Sequence, residues 1–256
     1  MAMSVTLAKT VEQLNALEKQ SMNGLTTNQL GLVLCFIGWL VVSIGQAAAQ
    51  VVPAGYTIPD VTLSPDHRYG VTVPGLNTPN AHNSLVEIQT GLVLAEIKAD
   101  VGYEQAILPS RWTKDNSFVL WEVDGKWCDT ALVLLKLENG KVAWQRNLLK
   151  IGQEAILART KQIALKKYLA AMEQNKGNGS AYPDGFTVDV AVEGNEGEPL
   201  TLPLKIHAYL TSNPKGIEDP KFVNLDARLD ASVSSEGGFT VTEFHLGTKP
   251  PAPRWE

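Results

Sequence analysis

The chain has 256 residues, 44% of them hydrophobic and 19% charged, with a formal net charge of −5. That balance belongs to a globular protein of one domain or two small ones, and it excludes collagenous, coiled-coil and disordered chains. A net-negative chain lacks the basic face of a nucleic-acid binder, and two cysteines are too few for a disulfide framework or a thiolate metal site.

Leu30 to Ile44 is a nearly unbroken apolar run, followed by Gly45, Gln46 and the small residues Ala47-Ala48-Ala49. An apolar core ending in small residues at alternate positions is the pattern of a secretory signal peptide, with the cut between Ala49 and Gln50. Residues 1–49 are therefore read as a signal peptide. The alternative is an uncleaved signal anchor, although a spanning helix needs about 20 apolar residues and this core is shorter. Lys9 and Lys19 are offset by Glu12 and Glu18, so the flank lacks the usual positive bias, and the sequence leaves open whether Met1 or Met22 is the start. Cys35 leaves with the leader. Cys128 stays alone in the mature chain, where a buried small apolar role suits it best.

Residues 50–147 contain a repeat of two. Asp66 precedes Gly91 by 25 residues, Asp115 precedes Gly140 by 25, and the copies are offset by 49. Tyr69 and Val71 align with Phe118 and Leu120, and Leu85, Val86 and Ile88 with Leu134, Leu135 and Leu137. Thr90-Gly91 and Asn139-Gly140 between apolar runs are hairpin signals, as is Asp124-Gly125, because glycine supplies the positive φ such turns need. Short strands and hairpins at a period near 50 predict propeller-type blades. Leu63-Ser64-Pro65-Asp66-His67-Arg68-Tyr69-Gly70-Val71 resembles the blade opening of Tol-type and prolyl-oligopeptidase-type propellers, and Trp112 to Leu120 resembles a second one. The likeness covers about Val61 to Gln145. It implies two blade-like antiparallel units, in the manner of uncharacterised secreted bacterial proteins with isolated repeats, and no activity. Two blades cannot close a ring, which takes four or more, so their flanks need cover from the rest of the chain.

Residues 148–256 read as a helix followed by an antiparallel sheet. Leu148 to Gln174 is helical in composition, but its apolar stripe changes sides. Leu148, Ile151, Gly152, Ala155 and Ile156 share one face, whereas Leu157, Ala164, Leu165, Tyr168, Leu169 and Met172 share another. One straight helix cannot bury both in one groove, so a break near Arg159-Thr160, or burial of the halves against different elements, is expected. A connector touching both sheets is the favoured form. Four strands with strict period-two alternation follow, at Phe186–Glu193, Leu204–Thr211, Leu225–Val233 and Phe239–Leu246, each with a dry and a wet face. The helix is the expected lid for the dry face, and the tail from Gly247 with its three prolines is expected to be extended. The fold class is thus α+β, mainly β.

Catalytic motifs are lacking: no Gly-x-Ser-x-Gly elbow, no His-Glu-x-x-His, no phosphate or dinucleotide loop and no calcium loop. No cofactor and no metal site are expected. Among four histidines, His67 belongs to a blade-opening turn and His82 follows a Pro- and Asn-rich loop. His207, Tyr209, Glu243 and His245 share the wet face of the last sheet and could converge if their strands were neighbours. The aromatic cluster Trp112, Trp121, Trp127 and Trp144 offers either a binding face or core filling. The expected function is a periplasmic or secreted, non-enzymatic module that uses sheet edges or an aromatic face to bind an envelope protein or glycan, with membrane contact only through an uncleaved leader. The alternatives are a secreted hydrolase or accessory subunit built on the His207–Glu243–His245 neighbourhood, and a self-assembler pairing strand edges between chains.

Overall fold

The computed structural model describes residues 52, 54–75, 78, 82–97, 106–107, 109–124, 129–176, 183–195, 197–212 and 222–248. The leader with its Ala49-Gln50 cut, Gly125, Trp127, Cys128 and the proline-rich tail lie outside them. Residues 50–256 form one compact unit. Among the described residues no helix is long and apolar enough to cross a membrane.

The architecture is mainly β, with three antiparallel sheets. The first comprises β1 (Tyr56–Thr57), β2 (Tyr69–Pro74), β3 (Asn83–Glu87) and β4 (Leu92–Ile97). The second holds β5 (Ala106–Ile107), β6 (Arg111–Trp112), β7 (Phe118–Asp124), β8 (Asp129–Glu138) and β9 (Lys141–Asn147). Two helices follow, α1 (Leu148–Ile163) and α2 (Leu165–Gln174). The third sheet is a meander of β10 (Thr187–Val192), β11 (Leu204–Thr211), β12 (Asp226–Val233) and β13 (Phe239–Leu246).

The turns entering β2 and β7 share one geometry, 49 residues apart. In the first, the Ser64 hydroxyl accepts from Tyr69 N–H at 3.0 Å, and Arg68 N–H donates to Asp66 at 3.0 Å. In the second, the Thr113 hydroxyl accepts from Phe118 N–H at 3.0 Å, and Ser117 N–H donates to Asp115 at 3.1 Å. His67 and Asn116 occupy matching left-handed positions, φ 57° and 58°. A short polar side chain before a strand closes such a turn on its own backbone. In the β8–β9 hairpin Asn139 and Gly140 both take positive φ, 53° and 74°, as a two-residue turn demands.

The second sheet is the central layer. Along β8 a continuous apolar run is buried, because both faces of the strand are covered. Ala131, Val133, Leu135 and Leu137 pack with Val119, Trp121 and Val123 of β7 against Tyr69, Val71 and Leu85 of the first sheet. Leu132 and Leu134, with Phe118 and Leu120, face the helices and the third sheet. The first two sheets therefore stack through one shared core and do not close into a ring. The change at residue 147 is one of element type, from strand to helix, while the core runs across it.

Asn147 caps α1, its side chain accepting from Lys150 N–H at 2.9 Å. The helix buries Leu148, Leu149, Gly152, Ile156 and Thr160 and touches β8 on one side and β10 to β12 on the other. It is the connector between two sheets that the divided stripe implies. The break falls at Ala164 (φ −127°, ψ 41°), later than Arg159-Thr160, because Thr160 is buried and its carbonyl still accepts Ala164 N–H at 2.8 Å. Beyond the break α2 buries Tyr168 and Ala171. Leu165 and Leu169, assigned to the apolar face by periodicity, are exposed, because α2 follows Tyr168 toward Phe186 (ring centroids 4.8 Å apart) and Asp184.

The third sheet has the expected alternation. Val188, Val190 and Val192, then Leu204, Ile206, Ala208 and Leu210, then Ala227, Leu229, Ala231 and Val233 are buried beneath α1. The edge strand β13 departs from it. Ala231 pairs with Val241 and Asp230 with Glu243, which leaves Thr242 as a bulge.

Candidate functional site

The wet face of the third sheet gathers the polar side chains. His207 on β11 pairs with Asp230 on β12, which pairs with Glu243 on β13. One step along, Tyr209 pairs with Arg228, which pairs with His245. β11 and β13 are not neighbours, since β12 lies between them. The four residues expected on this face do share it, but they converge through Asp230 and Arg228, which the expectation left out. Consecutive strands usually pair in order, and that rule places β12 between the two histidine strands.

Asp230 is the hub. Its Oδ1 lies 2.6 Å from His207 Nδ1 and accepts from Arg228 Nε at 2.9 Å. Burial opposes its ionisation, but the hydrogen bonds from His207 and Arg228 outweigh that and hold its carboxyl below the ordinary range. The bond to Asp230 in turn pushes Arg228 up. Arg228 also lies 5.9 Å from the Tyr209 ring centroid. At the outer end His245 Nε2 stands 3.0 Å from Glu243 Oε2. Donor atoms of Asp230, Glu243 and His245 lie within 4.8 Å of one another. A cation there would compete with the Arg228 guanidinium for Asp230. The outer pair is open to water, with side chains 64% (Glu243) and 53% (His245) exposed. Chemically the row can relay a proton or bind a polar group, and its outer pair is open among the described residues.

The tryptophans separate. Trp112 and Trp121 are 4% and 1% exposed and belong to the core between the first two sheets. Trp112 stacks on Tyr69 at 6.2 Å and donates Nε1 to the Thr62 carbonyl at 3.3 Å. The aromatic binding face therefore loses these two, which fill an undersized β core. Trp144 is half-buried between Phe118 and Arg146, and Trp127 lies outside the described residues. His67 is exposed in its turn, and the His82 ring stands 6.3 Å from Tyr56.

A cleft of about 330 Å³ opens between Pro65, Trp112, Lys114 and residues 197–199. Arg111 lines it. Burial pushes this guanidinium down, opposed by Glu122 and Glu198. Its Nη2 donates to the Glu193 carbonyl at 3.1 Å, and Leu200 N–H donates to the Trp112 carbonyl at 2.8 Å. These bonds make the region a seam between the second and third sheets.

A further open feature among the described residues is β13. It is an edge strand, and its core-side residues Val241 and Leu246 are each 44% exposed. Gly247 N–H donates to the Asp226 carbonyl at 2.7 Å. Backbone groups alternate in direction along an antiparallel strand, so His245 and Glu243 face β12, and Phe244 and Leu246 turn their N–H and C=O groups outward. Comparison with known proteins finds no matching family model, no matching curated protein and no matching solved structure.

Proposed function

We propose that this chain is an exported, non-enzymatic interaction module that takes its partner by strand addition to the edge of β13. One observation carries the reading: an eight-residue edge strand with exposed Val241 and Leu246 and the outward backbone groups of Phe244 and Leu246. Main-chain hydrogen bonds along such an edge supply affinity, and the alternate side chains supply selectivity. Proteins that do not use an edge blunt it with lysine, proline or a bulge. Phe239–Leu246 holds neither lysine nor proline, and its one bulge, at Thr242, leaves Glu243–Leu246 in regular pairing with β12. Export is supported by the apolar run from Leu30 to Ile44 and the small residues Ala47 and Ala49. The Asp230 row is a weaker basis for hydrolysis, because its carboxylate is already held by an imidazole and a guanidinium and the face is open.

The test is site-specific photo-cross-linking in the cells that make the protein. A probe at Leu246 is expected to trap a covalent adduct, and a probe at Lys150, on the exposed side of α1, is expected to trap none. Equal labelling from both sites, or no adduct from Leu246, would remove the open-edge reading.

A further inference from the structure

We infer that the strand added to β13 is the β13 of a second copy of this chain, paired antiparallel about a two-fold axis at Phe244. The inference rests on the open-edge reading above and names its occupant.

Two features of the strand are self-complementary. The first is backbone direction. With Gly247 N–H committed to Asp226, Phe244 and Leu246 are the positions whose backbone groups face outward. A two-fold axis at Phe244 sets each Phe244 opposite its own copy, so the two exchange N–H and C=O bonds. It sets Leu246 opposite Thr242. The second feature is charge. Between those pairs the same axis places each Glu243 against the His245 of the other copy, and does so twice. These are non-hydrogen-bonded pairs, in which side chains approach most closely. In the single chain His245 Nε2 stands 3.0 Å from its own Glu243, so pairing exchanges that contact for the same contact across the axis, made twice. Shifting the axis by one residue sets Glu243 against Glu243 or His245 against His245, so the side chains choose one register.

The interface is isologous and closes on itself, giving a dimer rather than a fibre. The Thr242 bulge confines regular pairing to Glu243–His245 of each copy, with Leu246 lying beside the bulge of the other. So short a pairing falls short of the roughly 1,200 Å² of a standard stable interface and belongs to the weak, reversible class.

Sedimentation equilibrium on the chain expressed with its own N-terminal segment, at concentrations up to about 1 mM, tests this. The wild type is expected to enter a monomer–dimer equilibrium. Glu243→His alone is expected to weaken it roughly 2- to 30-fold through two symmetric pairs. Adding His245→Glu to that variant is expected to restore it, because the swapped charges face each other again. Leu246→Lys is expected to abolish it. All three positions are exposed, so circular dichroism should report an unchanged fold. A wild type that stays monomeric throughout overturns the inference, and so does an association indifferent to the swap. The mass of the Leu246 photo-adduct separates the two readings. An adduct of twice the chain's mass supports self-pairing. An adduct with a different protein from a monomeric chain overturns self-pairing and leaves the open edge standing, whereas no adduct removes both.

Discussion

At the scale of single residues, three aspartates held below their ordinary value contribute to the acid limb of stability. Hydrogen bonds from Thr113 and Ser117 keep Asp115 pushed down to about 2. Asp66 is lowered by Ser64 and the backbone at Arg68 against a desolvation cost. Asp230 is lowered by His207 and Arg228 against its own burial. A carboxyl with a folded pKa below its unfolded one stabilises the fold above the unfolded value, 3.8 here, and that contribution is lost as pH falls through the folded value. Asp230→Asn should therefore cost about 1–2 kcal/mol at pH 7, as charge-assisted bonds become neutral ones. The cost should shrink as pH falls below 3.8 and the wild-type carboxyl itself becomes protonated. Urea denaturation of both proteins across that range measures it, and a difference independent of pH would show that Asp230 acts through packing alone.

At the scale of elements, what sequence can reveal depends on whether the determinant is local. The turns at Asp66 and Asp115 are written in four or five consecutive residues, and period-two alternation makes the dry faces of β10 to β12 readable. The division of the helical stripe pointed to two surfaces, but α1 alone meets both β8 and the third sheet, and Leu165 and Leu169 of the second stripe are exposed. The position of the break was not legible, because Thr160 is kept helical by burial that only the assembled layers provide. The bulge at Thr242 was hidden for the same reason, being a property of the β12–β13 pair. Asp230 and Arg228 were visible as wet-face residues, but their role depended on strand order. Gly152 shows how finely the helix is seated. A Cβ there would lie 3.0 Å from both methyls of Val190, so any side chain requires Val190 or α1 to give way by a few tenths of an ångström. Gly152→Leu should push the helix off β10 and cost at least about 2 kcal/mol, within the range for overpacked cores. Chemical denaturation should report that loss, and a variant as stable as the wild type would mean that α1 has room to shift.

At the scale of the whole molecule, the central sheet couples everything. Leu134 and Leu135 are adjacent on β8 and both fully buried, yet Leu134 faces the helices and third sheet while Leu135 faces the first sheet. If residues 50–147 and 148–256 folded separately, truncating one leucine would loosen one half. A shared layer predicts otherwise. Leu134→Ala and Leu135→Ala should each cost about 2–5 kcal/mol, and each should lower the stability of strands on both sides of β8. Native-state hydrogen exchange resolves this through buried amides of β3 and of β11, since cooperative units are seen as residues sharing one opening free energy. Loss of protection in β3 and β11 together, for both variants, is the outcome expected of one core folded across one sheet. Loss confined to β11 in Leu134→Ala and to β3 in Leu135→Ala would divide the molecule in two. The open edge of β13 would then belong to a C-terminal unit with its own stability, and strand addition there would stabilise that unit alone.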